Sequence, residues 1–300
     1  MKKKILITGG TGLIGTALKE KAISQDWEVT LLSRQPGPGR ITWNPEKGTI
    51  DLPYKMHFDA IINLAGTSLS QGRWNEKRKK EIYDSRIKSC RTLESYLYDG
   101  RLSTDFYLGA SGIGIYGDNG VKEINEKTTY SAKDWFVKTV VDWEKEHHRV
   151  AALDIRTVII RIGIVLSHEG GALQEILKKS RFGVLPYFGN GRQIWPWIHI
   201  DDLTSLIFYC IGNSNLEGIF LGVSPDPVTN KKLIQTINAH SASKKIVLGV
   251  PRFVLAIVLG EMHRVLFDSC NAIPQKALHS GFQFAFPTIA EAAKDLNTNP

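Results

Sequence analysis

Short apolar runs and helix-compatible segments alternate along the first half of this chain. The run from Ile5 to Ile7 leads into a glycine-rich turn, and a helix-compatible segment at 16–22 follows at once. A second apolar run, 28–34, comes next. Near-continuous apolar strands that alternate with helices are typical of a parallel sheet covered on both faces. The pattern therefore predicts an α/β fold built on a doubly wound parallel sheet.

The same pattern predicts further strands at 59–66, 105–111 and 155–161, and helices at about 74–98 and 133–149. Ligands of such sheets bind beyond the carboxyl ends of the strands. Small or polar residues stand at five of these ends, so we expect them to line one cleft. They are Thr8-Gly9, Ser33-Arg34, Leu64-Ala65-Gly66, Ser111 and Arg161-Ile162-Gly163.

The pattern loosens after about residue 165, where glycines and prolines become frequent. This change predicts loops and short helices that cover a substrate. Residues of about 250–297 are expected to be mostly helical, with helix starts at Pro251 and Pro287. We therefore divide the chain into a cofactor-binding domain at 1–230, with substrate-side loops from about 166, and a small helical domain at 248–297.

The glycine-rich turn places Gly9, Gly12 and Gly15 between a strand and a helix, which is the context of a dinucleotide-binding motif. Gly9 allows the tight turn, Gly12 lets a pyrophosphate approach the backbone, and Gly15 lets the helix pack on the strand. The helix N-terminus offers unpaired N–H groups to the phosphates. The motif predicts a dinucleotide cofactor.

The second strand ends in Ser33-Arg34, about 20 residues after the glycines. NAD sites carry an Asp or Glu there, which binds the adenosine ribose. A carboxylate would repel a 2′-phosphate, whereas a guanidinium binds one by charge-assisted hydrogen bonds. The residues predict NADP as the cofactor. The alternative is that Arg34 is a solvated arginine before the turn at 36–39.

The net charge is +8 and the sequence pI is about 9.3. The lysines are scattered, and no basic stripe interleaved with aromatic residues is present, so we expect no nucleic-acid partner. A basic surface that favours an anionic cofactor explains the charge. We expect no metal site, because Asp201 or Asp202 is interpreted as a helix N-cap and His147-His148 as a solvated helix end.

Three cysteines lie far apart, and no C-x-x-C motif occurs, so neither a disulfide framework nor a zinc site is predicted. The apolar run after the basic start stops at Thr8, which is too short for a signal peptide. No segment has the length of a membrane span. We expect a cytoplasmic protein with a small-molecule substrate and no membrane partner. The oligomeric state stays open, with a homodimer as one option.

Motifs over nearly the whole chain agree with this interpretation. Each is unspecific alone, and together they are specific. They are the run Gly9 to Gly15, Asn63-Leu64-Ala65-Gly66, Arg73-Trp74 with Ser85-Arg86, Ser111 with Tyr116-Gly117, Asp142-Trp143-Glu144, Trp197 to Asp202, and Ile273-Pro274 with Gly281-Phe282.

With these motifs the chain resembles the atypical extended short-chain dehydrogenases/reductases. Within them it is most similar to the NAD-dependent epimerase/dehydratase-like subgroup that carries a small C-terminal domain of unknown function. The resemblance implies a Rossmann-type NADP site, with further contacts beyond the glycine motif. The cofactor-binding residues assigned in this way are Gly9, Thr11, Gly12, Leu13, Ile14, Gly15, Ser33, Arg34, Leu64, Ala65, Gly66, Glu81, Arg86 and Val165.

One departure from the family pattern concerns catalysis. Short-chain dehydrogenases use a Tyr-x-x-x-Lys pair, in which the ammonium lowers the pKa of the phenol. The matching positions hold Phe136 and Val140, and neither transfers a proton. We nominate Ser111 and Tyr116 as catalytic residues, since Ser111 ends a strand at the cleft and Tyr116 follows in the next loop. The alternatives are a serine that satisfies local backbone and a tyrosine that packs.

Two hypotheses for function follow. The first is an NADP-dependent oxidoreductase or epimerase for a small polar, sugar-like substrate, with a mechanism that lacks the Tyr-x-x-x-Lys pair. The second is a non-catalytic NADP-binding sensor or regulator. The retention of Ser111, Tyr116 and a substrate-covering region favours the first.

Overall fold

The computed structural model describes residues 2–132, 134–180 and 183–298. Its strands are β1 (Lys4–Thr8), β2 (Glu28–Ser33), β3 (Arg40–Asn44), β4 (Thr49–Ile50), β5 (Met56–Phe58), β6 (Ala60–Asn63), β7 (Leu102–Thr104), β8 (Phe106–Gly112), β9 (Glu123–Ile124), β10 (Arg156–Ile162), β11 (Ile164–Leu166), β12 (Val184–Phe188), β13 (Ile194–Trp195), β14 (Trp197–His199), β15 (Gly218–Gly222), β16 (Val228–Thr229), β17 (Ile246–Val250) and β18 (Asn271–Ala272). Its α-helices are α1 (Leu13–Ser24), α2 (Glu76–Tyr98), α3 (Trp135–Ala151), α4 (Gly171–Lys179), α5 (Ile200–Gly212), α6 (Asn230–His240), α7 (Arg252–Leu259), α8 (Gln275–His279) and α9 (Ile289–Thr298).

Eight strands form the central sheet in the order β15-β10-β8-β6-β1-β2-β3-β4. All neighbours are parallel except β3 and β4, which are antiparallel. The chain leaves β1 toward β2 on one side and returns to β6 on the other. The order therefore reverses at β1 and β6, where ligands of doubly wound sheets bind. The predicted Rossmann-type fold is confirmed.

Alternating residues of β1 serve the two faces of the sheet. Ile5 and Ile7 belong to a core that contains residues of α1 and α5. Leu6 belongs to a core on the other face, with residues of α2 and α3. One strand contributes to both cores because successive side chains of a strand point to opposite faces of the sheet. This double cover holds the carboxyl ends of the strands in fixed positions.

A third apolar core lies beyond the sheet, within residues 164–296. It joins α4, α6, α7 and α9 around buried residues such as Trp197 and Leu233. The helix α9 packs along α6, and β12 pairs with β17. The C-terminal helices therefore rest on the segment between 164 and 240. No helix within the described residues is long and apolar enough to cross a membrane.

Side-chain caps fix the starts of the helices that flank the cleft. Asn75 caps α2 by accepting a hydrogen bond from Arg78 N, and Asp134 caps α3 by accepting one from Val137 N. The predicted helix at 133–149 thus begins at Trp135, and Lys133 lies outside the described residues. An N-cap satisfies backbone donors that the helix leaves unpaired.

The N-cap predicted at Asp201 or Asp202 is wrong. The helix α5 begins at Ile200, and its N-cap is His199, whose side chain accepts from Asp201 N at 3.3 Å. Asp202 is buried and accepts hydrogen bonds from Ala285 N at 2.7 Å and from Phe286 N at 3.0 Å. Its carboxylate therefore anchors the C-terminal segment to α5 and does not cap the helix.

Candidate functional site

A cleft of about 710 Å³ opens at the carboxyl ends of β1, β2 and β6. It lies at the reversal of strand order, as the fold predicts. The assigned cofactor-binding residues that line it are Gly9, Thr11, Gly12, Ser33, Arg34, Leu64, Ala65, Gly66 and Glu81.

The three glycines of the turn have different reasons to be glycine. Gly9 has a φ of +67°, and a Cβ there would lie 2.7 Å from Leu64 O. A Cβ on Gly15 would lie 2.3 Å from Gly9 O. Gly12 is different, because its Cβ would meet only Gly9 O, at 3.3 Å. Gly9 and Gly15 are therefore needed by the fold, whereas the space above Gly12 is open.

The turn also leaves the start of α1 free for an anion. Gly12 is the N-cap of α1, and no side chain caps this helix. The first N–H groups of a helix carry a partial positive charge and need acceptors. An uncapped helix start beside an open glycine is the arrangement that binds a phosphate group.

The assigned residues Leu13, Ile14 and Val165 lie behind the turn. A Cβ on Gly171, at the start of α4, would lie 3.1 Å from both Leu13 Cδ2 and Val165 O. Ile14 and Val165 pack against the core between the sheet and α5. The structure thus brings these three residues together at the base of the glycine turn, where α4 approaches it.

Positive charge gathers at the carboxyl end of β2. Arg34 follows Ser33, the last residue of the strand, and is exposed. The Ser33 hydroxyl accepts from Gln35 N at 3.1 Å, which shapes the turn. Within the described residues Arg34 forms no ion pair. Its guanidinium is therefore available to an anionic ligand.

The assigned residues on α2 lie in two layers. Glu81 lines the cleft and pairs with Arg78, with 3.0 Å between Oε2 and Nη1. Arg86 is buried beneath the loop that follows β6, where a Cβ on Gly66 would lie 3.1 Å from its Cζ. Arg86 donates to Thr67 O at 3.2 Å, and burial lowers its pKa to about 10. Arg86 therefore supports the loop from below.

A buried chain of hydrogen bonds fixes the loop at 64–66. Thr8 Oγ1 accepts from Ala65 N at 3.0 Å and donates to Asn63 Oδ1 at 2.7 Å. Asn63 Nδ2 donates to the Tyr107 hydroxyl at 3.1 Å. The Tyr107 hydroxyl lies 2.9 Å from His147 Nδ1. The chain runs from the cleft to α3 through the interior of the sheet.

His147 corrects the prediction of a solvated helix end. Its side chain is fully buried, because α3 presses it against β8. Nε2 lies 3.0 Å from Ala110 O, so it carries the proton, and Nδ1 accepts from the Tyr107 hydroxyl. Burial lowers the pKa of His147 to about 4. The imidazole is therefore neutral in the folded protein at neutral pH.

His147 is expected to make the protein less stable in acid. The pKa of His147 rises from about 4 in the folded chain to 6.5 in the unfolded chain. Between pH 6.5 and pH 4 the unfolded state binds more protons than the folded state. The free energy of unfolding therefore decreases as the pH is lowered, by about 1.4 kcal/mol per pH unit. Urea unfolding from pH 7 to pH 4 measures this slope.

The control for this prediction is His147→Gln, which removes the titrating group. The carboxyl of Asp268, whose pKa burial raises to about 6, contributes a slope of opposite sign in the same range. The difference between wild type and variant therefore isolates His147. Equal slopes in the two proteins would contradict a buried neutral imidazole.

The nominated residues Ser111 and Tyr116 belong to one buried network. Ser111 Oγ donates to Glu144 Oε1 at 2.5 Å. Glu144 and Arg161 form a two-pronged ion pair, with contacts of 2.8 and 2.7 Å. Arg161 Nη1 donates to the Tyr116 hydroxyl at 2.6 Å, and that hydroxyl donates to Asn125 O at 2.9 Å. The structure joins the two nominated residues through Glu144 and Arg161, whose pairing was not predicted from the sequence.

Within this network, Glu144 and Arg161 stabilise each other's charged forms. Burial disfavours the charge on Arg161, but Glu144 outweighs burial and raises the pKa of the guanidinium. Burial raises the pKa of Tyr116 to about 12. Both nominated hydroxyls form hydrogen bonds with other groups of the protein. Direct proton transfer by Ser111 or Tyr116 requires these hydrogen bonds to break.

The places of the missing Tyr-x-x-x-Lys pair are filled with apolar packing. The ring of Phe136 lies 2.5 Å from the point where Gly114 would carry a Cβ, and it packs on Trp74 at 5.3 Å. Val140 is buried. Glu144 follows at the same spacing of four residues, so all three lie on one face of α3.

Several residues that line the cleft were not predicted from the sequence. Most of them lie on β3, on the turn after β3 and on α2, close to the predicted strand ends. Arg40 was detectable, since it opens the strand that pairs with β2. The additional lining residues that matter are Arg40, Trp43, Glu46, Ser68, Arg78 and Ser85.

Comparison with known proteins agrees with the cleft and the fold. The sequence profile of the NAD dependent epimerase/dehydratase family matches residues 5–220, and that of the domain of unknown function DUF1731 matches residues 250–296. The chain belongs to the NAD dependent epimerase/dehydratase family. Membership in this family, together with the C-terminal domain, confirms the resemblance stated from the motifs.

Three relatives of this epimerase-family chain are informative. The epimerase family protein SDR39U1 of Mus musculus is 34% identical over 296 residues, which are 98% of this chain and 99% of the relative. The crystal structure of human epimerase family protein SDR39U1 (isoform2) with NADPH has a TM-score of 0.89 at 32% identity, covering 99% of this chain and 100% of that one. The nucleoside-diphosphate sugar epimerase of Corynebacterium glutamicum has a TM-score of 0.78 at 25% identity, covering 99% and 59%.

Proposed function

We propose that this protein is an NADP(H)-dependent oxidoreductase or epimerase that acts on a small polar, sugar-like substrate. The observation that carries the proposal is the cleft, where an open glycine turn and an uncapped helix start lie at one side and the unpaired Arg34 at the other. The human relative crystallised with NADPH supports NADP. The sugar epimerase from Corynebacterium glutamicum supports the substrate class.

The residues of the cleft fit the cofactor. The backbone of the turn at 9–12 would hold the pyrophosphate, with Leu13 and Ile14 at the helix start. Ser33 and Arg34 would hold the 2′-phosphate, and the loop at 64–66 would lie along the rest of the molecule. When bound, the cofactor supplies hydride transfer. The buried chain from Thr8 to His147 keeps the loop at 64–66 in place.

Substitution of Arg34 tests the choice of cofactor. Arg34→Asp is expected to remove or reverse the preference for NADPH, because a carboxylate repels a 2′-phosphate. Loss of a charge-assisted contact weakens NADPH by about 1.5–3 kcal/mol, roughly 10- to 150-fold. Calorimetric titration with NADPH and NADH measures both affinities. An unchanged ratio of affinities in Arg34→Asp would contradict the assignment.

We keep Ser111 and Tyr116 as the proposed catalytic residues, although both are buried and neither lines the described cleft. The contacts of Ser111 with Glu144 and of Tyr116 with Arg161 support a role as groups that hold the ion pair. The same contacts favour the second hypothesis, a non-catalytic NADPH-binding sensor, because they leave neither hydroxyl free. The two hypotheses differ in turnover and agree in cofactor binding.

A substrate screen separates these hypotheses. Carbonyl compounds and nucleotide sugars are tested while the absorbance of reduced nicotinamide is followed. Ser111→Ala and Tyr116→Phe are expected to lower turnover by about 10²–10⁴-fold if the hydroxyls exchange protons, with NADPH affinity almost unchanged. Full activity in both variants would refute their nomination. Tight NADPH binding without turnover in the wild type would favour the sensor.

A further inference from the structure

We propose that Arg40 is a second specificity-determining residue for the cofactor, which joins Arg34 in a two-arginine subsite for the 2′-phosphate of NADP. We further propose that Gly37 is a glycine because it leaves room for the Arg40 side chain. This inference rests on the proposed use of NADP. It assigns the phosphate to two strands, β2 and β3, and not to the end of β2 alone.

The backbone brings Arg40 back to the turn that follows Arg34. Strand β3 runs parallel to β2, with Leu31 opposite Arg40. Leu31 N donates to Gly39 O at 2.9 Å, and Arg40 N donates to Gly37 O at 3.2 Å. These two hydrogen bonds close the turn between the strands. Arg40, the first residue of β3, is therefore adjacent to the turn that follows Arg34.

The side chain of Arg40 lies across Gly37. A Cβ on Gly37 would lie 3.2 Å from Arg40 Cδ, 3.3 Å from Nε and 3.6 Å from Cζ. Gly37 has no positive φ, so its backbone does not require glycine. Instead, the absence of a Cβ on Gly37 leaves space for the Arg40 side chain to pack against its backbone. The guanidinium of Arg40 thus reaches the turn only three residues beyond Arg34.

The charges at this end of the cleft favour an anion. Arg34 and Arg40 both line the cleft, both are exposed, and neither forms an ion pair within the described residues. The carboxylate of Glu46 also lines the cleft, but it pairs with Lys88. Two unpaired guanidinium groups match a phosphomonoester, which carries up to two negative charges and three acceptor oxygens.

Adenosine 2′,5′-bisphosphate and AMP are the probes for this subsite. Both present adenosine and a single 5′-phosphate, and only the first carries a 2′-phosphate. Arg40→Ala is expected to weaken binding of the bisphosphate by about 10- to 100-fold and binding of AMP by less than about 3-fold. Gly37→Ala is expected to act in the same direction by several-fold, since the Arg40 chain must move. Isothermal titration calorimetry measures each affinity.

Lys47→Ala is the matched control. Lys47 is exposed, lies next to the cleft residue Glu46 and does not itself line the cleft. Lys47→Ala removes one positive charge, as Arg40→Ala does. A general effect of lost positive charge would therefore weaken binding equally in the two variants. Arg40→Lys keeps the charge without the two-pronged geometry and is expected to lie between Arg40→Ala and wild type. Circular dichroism melting confirms that each variant folds.

The outcomes separate this inference from the proposed function. Equal affinity of wild type for the two probes would overturn NADP as the cofactor, and the subsite with it. A second outcome is that the wild type prefers the bisphosphate while Arg40→Ala binds the bisphosphate as tightly as the wild type does, or no more weakly than Lys47→Ala does. That result would overturn the role of Arg40 and leave NADP as the proposed cofactor. Equal loss of both probes in Arg40→Ala would place Arg40 on the adenosine or the 5′-phosphate, which also contradicts the proposal.

Discussion

Glu144→Gln is expected to lower the free energy of unfolding by about 3–5 kcal/mol. Glu144 and Arg161 are buried, and their carboxylate and guanidinium share two hydrogen bonds. Removal of one charge leaves the other inside the protein without a counter-ion, which is strongly destabilising. Glutamine keeps the size of the side chain, so lost packing contributes little. Urea or thermal unfolding measures the change.

Two further variants make the result specific. Glu144→Gln combined with Arg161→Met removes both charges and is expected to recover much of the lost stability, because no buried charge stays unpaired. Glu94→Gln breaks the partly exposed pair with Arg149, which joins α2 to α3, and is expected to cost only about 0–1 kcal/mol. A Glu144→Gln protein as stable as Glu94→Gln would contradict the account of the network.

Gly12→Val is expected to weaken cofactor binding by roughly 5- to 150-fold in a folded protein. Gly12 has a φ of −83° and a ψ of 172°, an extended conformation that valine adopts readily. Among the described residues, its Cβ would meet Gly9 O alone, at 3.3 Å. The added methyl groups would instead occupy the space into which the pyrophosphate must come. A clash of this kind costs about 1–3 kcal/mol, which corresponds to roughly 5- to 150-fold weaker NADPH binding.

Gly15→Ala is the matched comparison, and it is expected to have the opposite profile. Its Cβ would fall 2.3 Å from Gly9 O and 2.6 Å from the Cα of Gly10, so the turn itself must open. The variant should lose stability in thermal melts, whereas Gly12→Val should melt near the wild type. Unchanged NADPH affinity in a folded Gly12→Val protein would mean that the turn does not bind the cofactor.

Local signals made the cofactor end of the molecule predictable. The glycine turn and Ser33-Arg34 depend on residues that are close in sequence, and their positions follow from the strand and helix that flank them. The alternation of apolar strands and helices gave the sheet for the same reason. The structure adds that Gly12 alone of the three glycines has open space in front of it.

Long-range packing explains what the sequence analysis missed. His147 looked like a solvated helix end, but contacts with Tyr107 and Ala110 of β8 and with Cys90 of α2 bury it. Ser111 and Tyr116 looked available, but Glu144 and Arg161 engage their hydroxyls, and Tyr116 also donates to Asn125 O. One signal was present in the sequence. Arg161 stands within the apolar run of β10, and a charge in a buried strand needs a partner.

The most direct test of the central claim is a calorimetric titration of the wild-type protein with NADPH and with NADH at one ionic strength. The charged contact at Arg34 predicts that NADPH binds at least about 10-fold more tightly. Equal affinities for NADPH and NADH would contradict the assignment of this cleft to NADP.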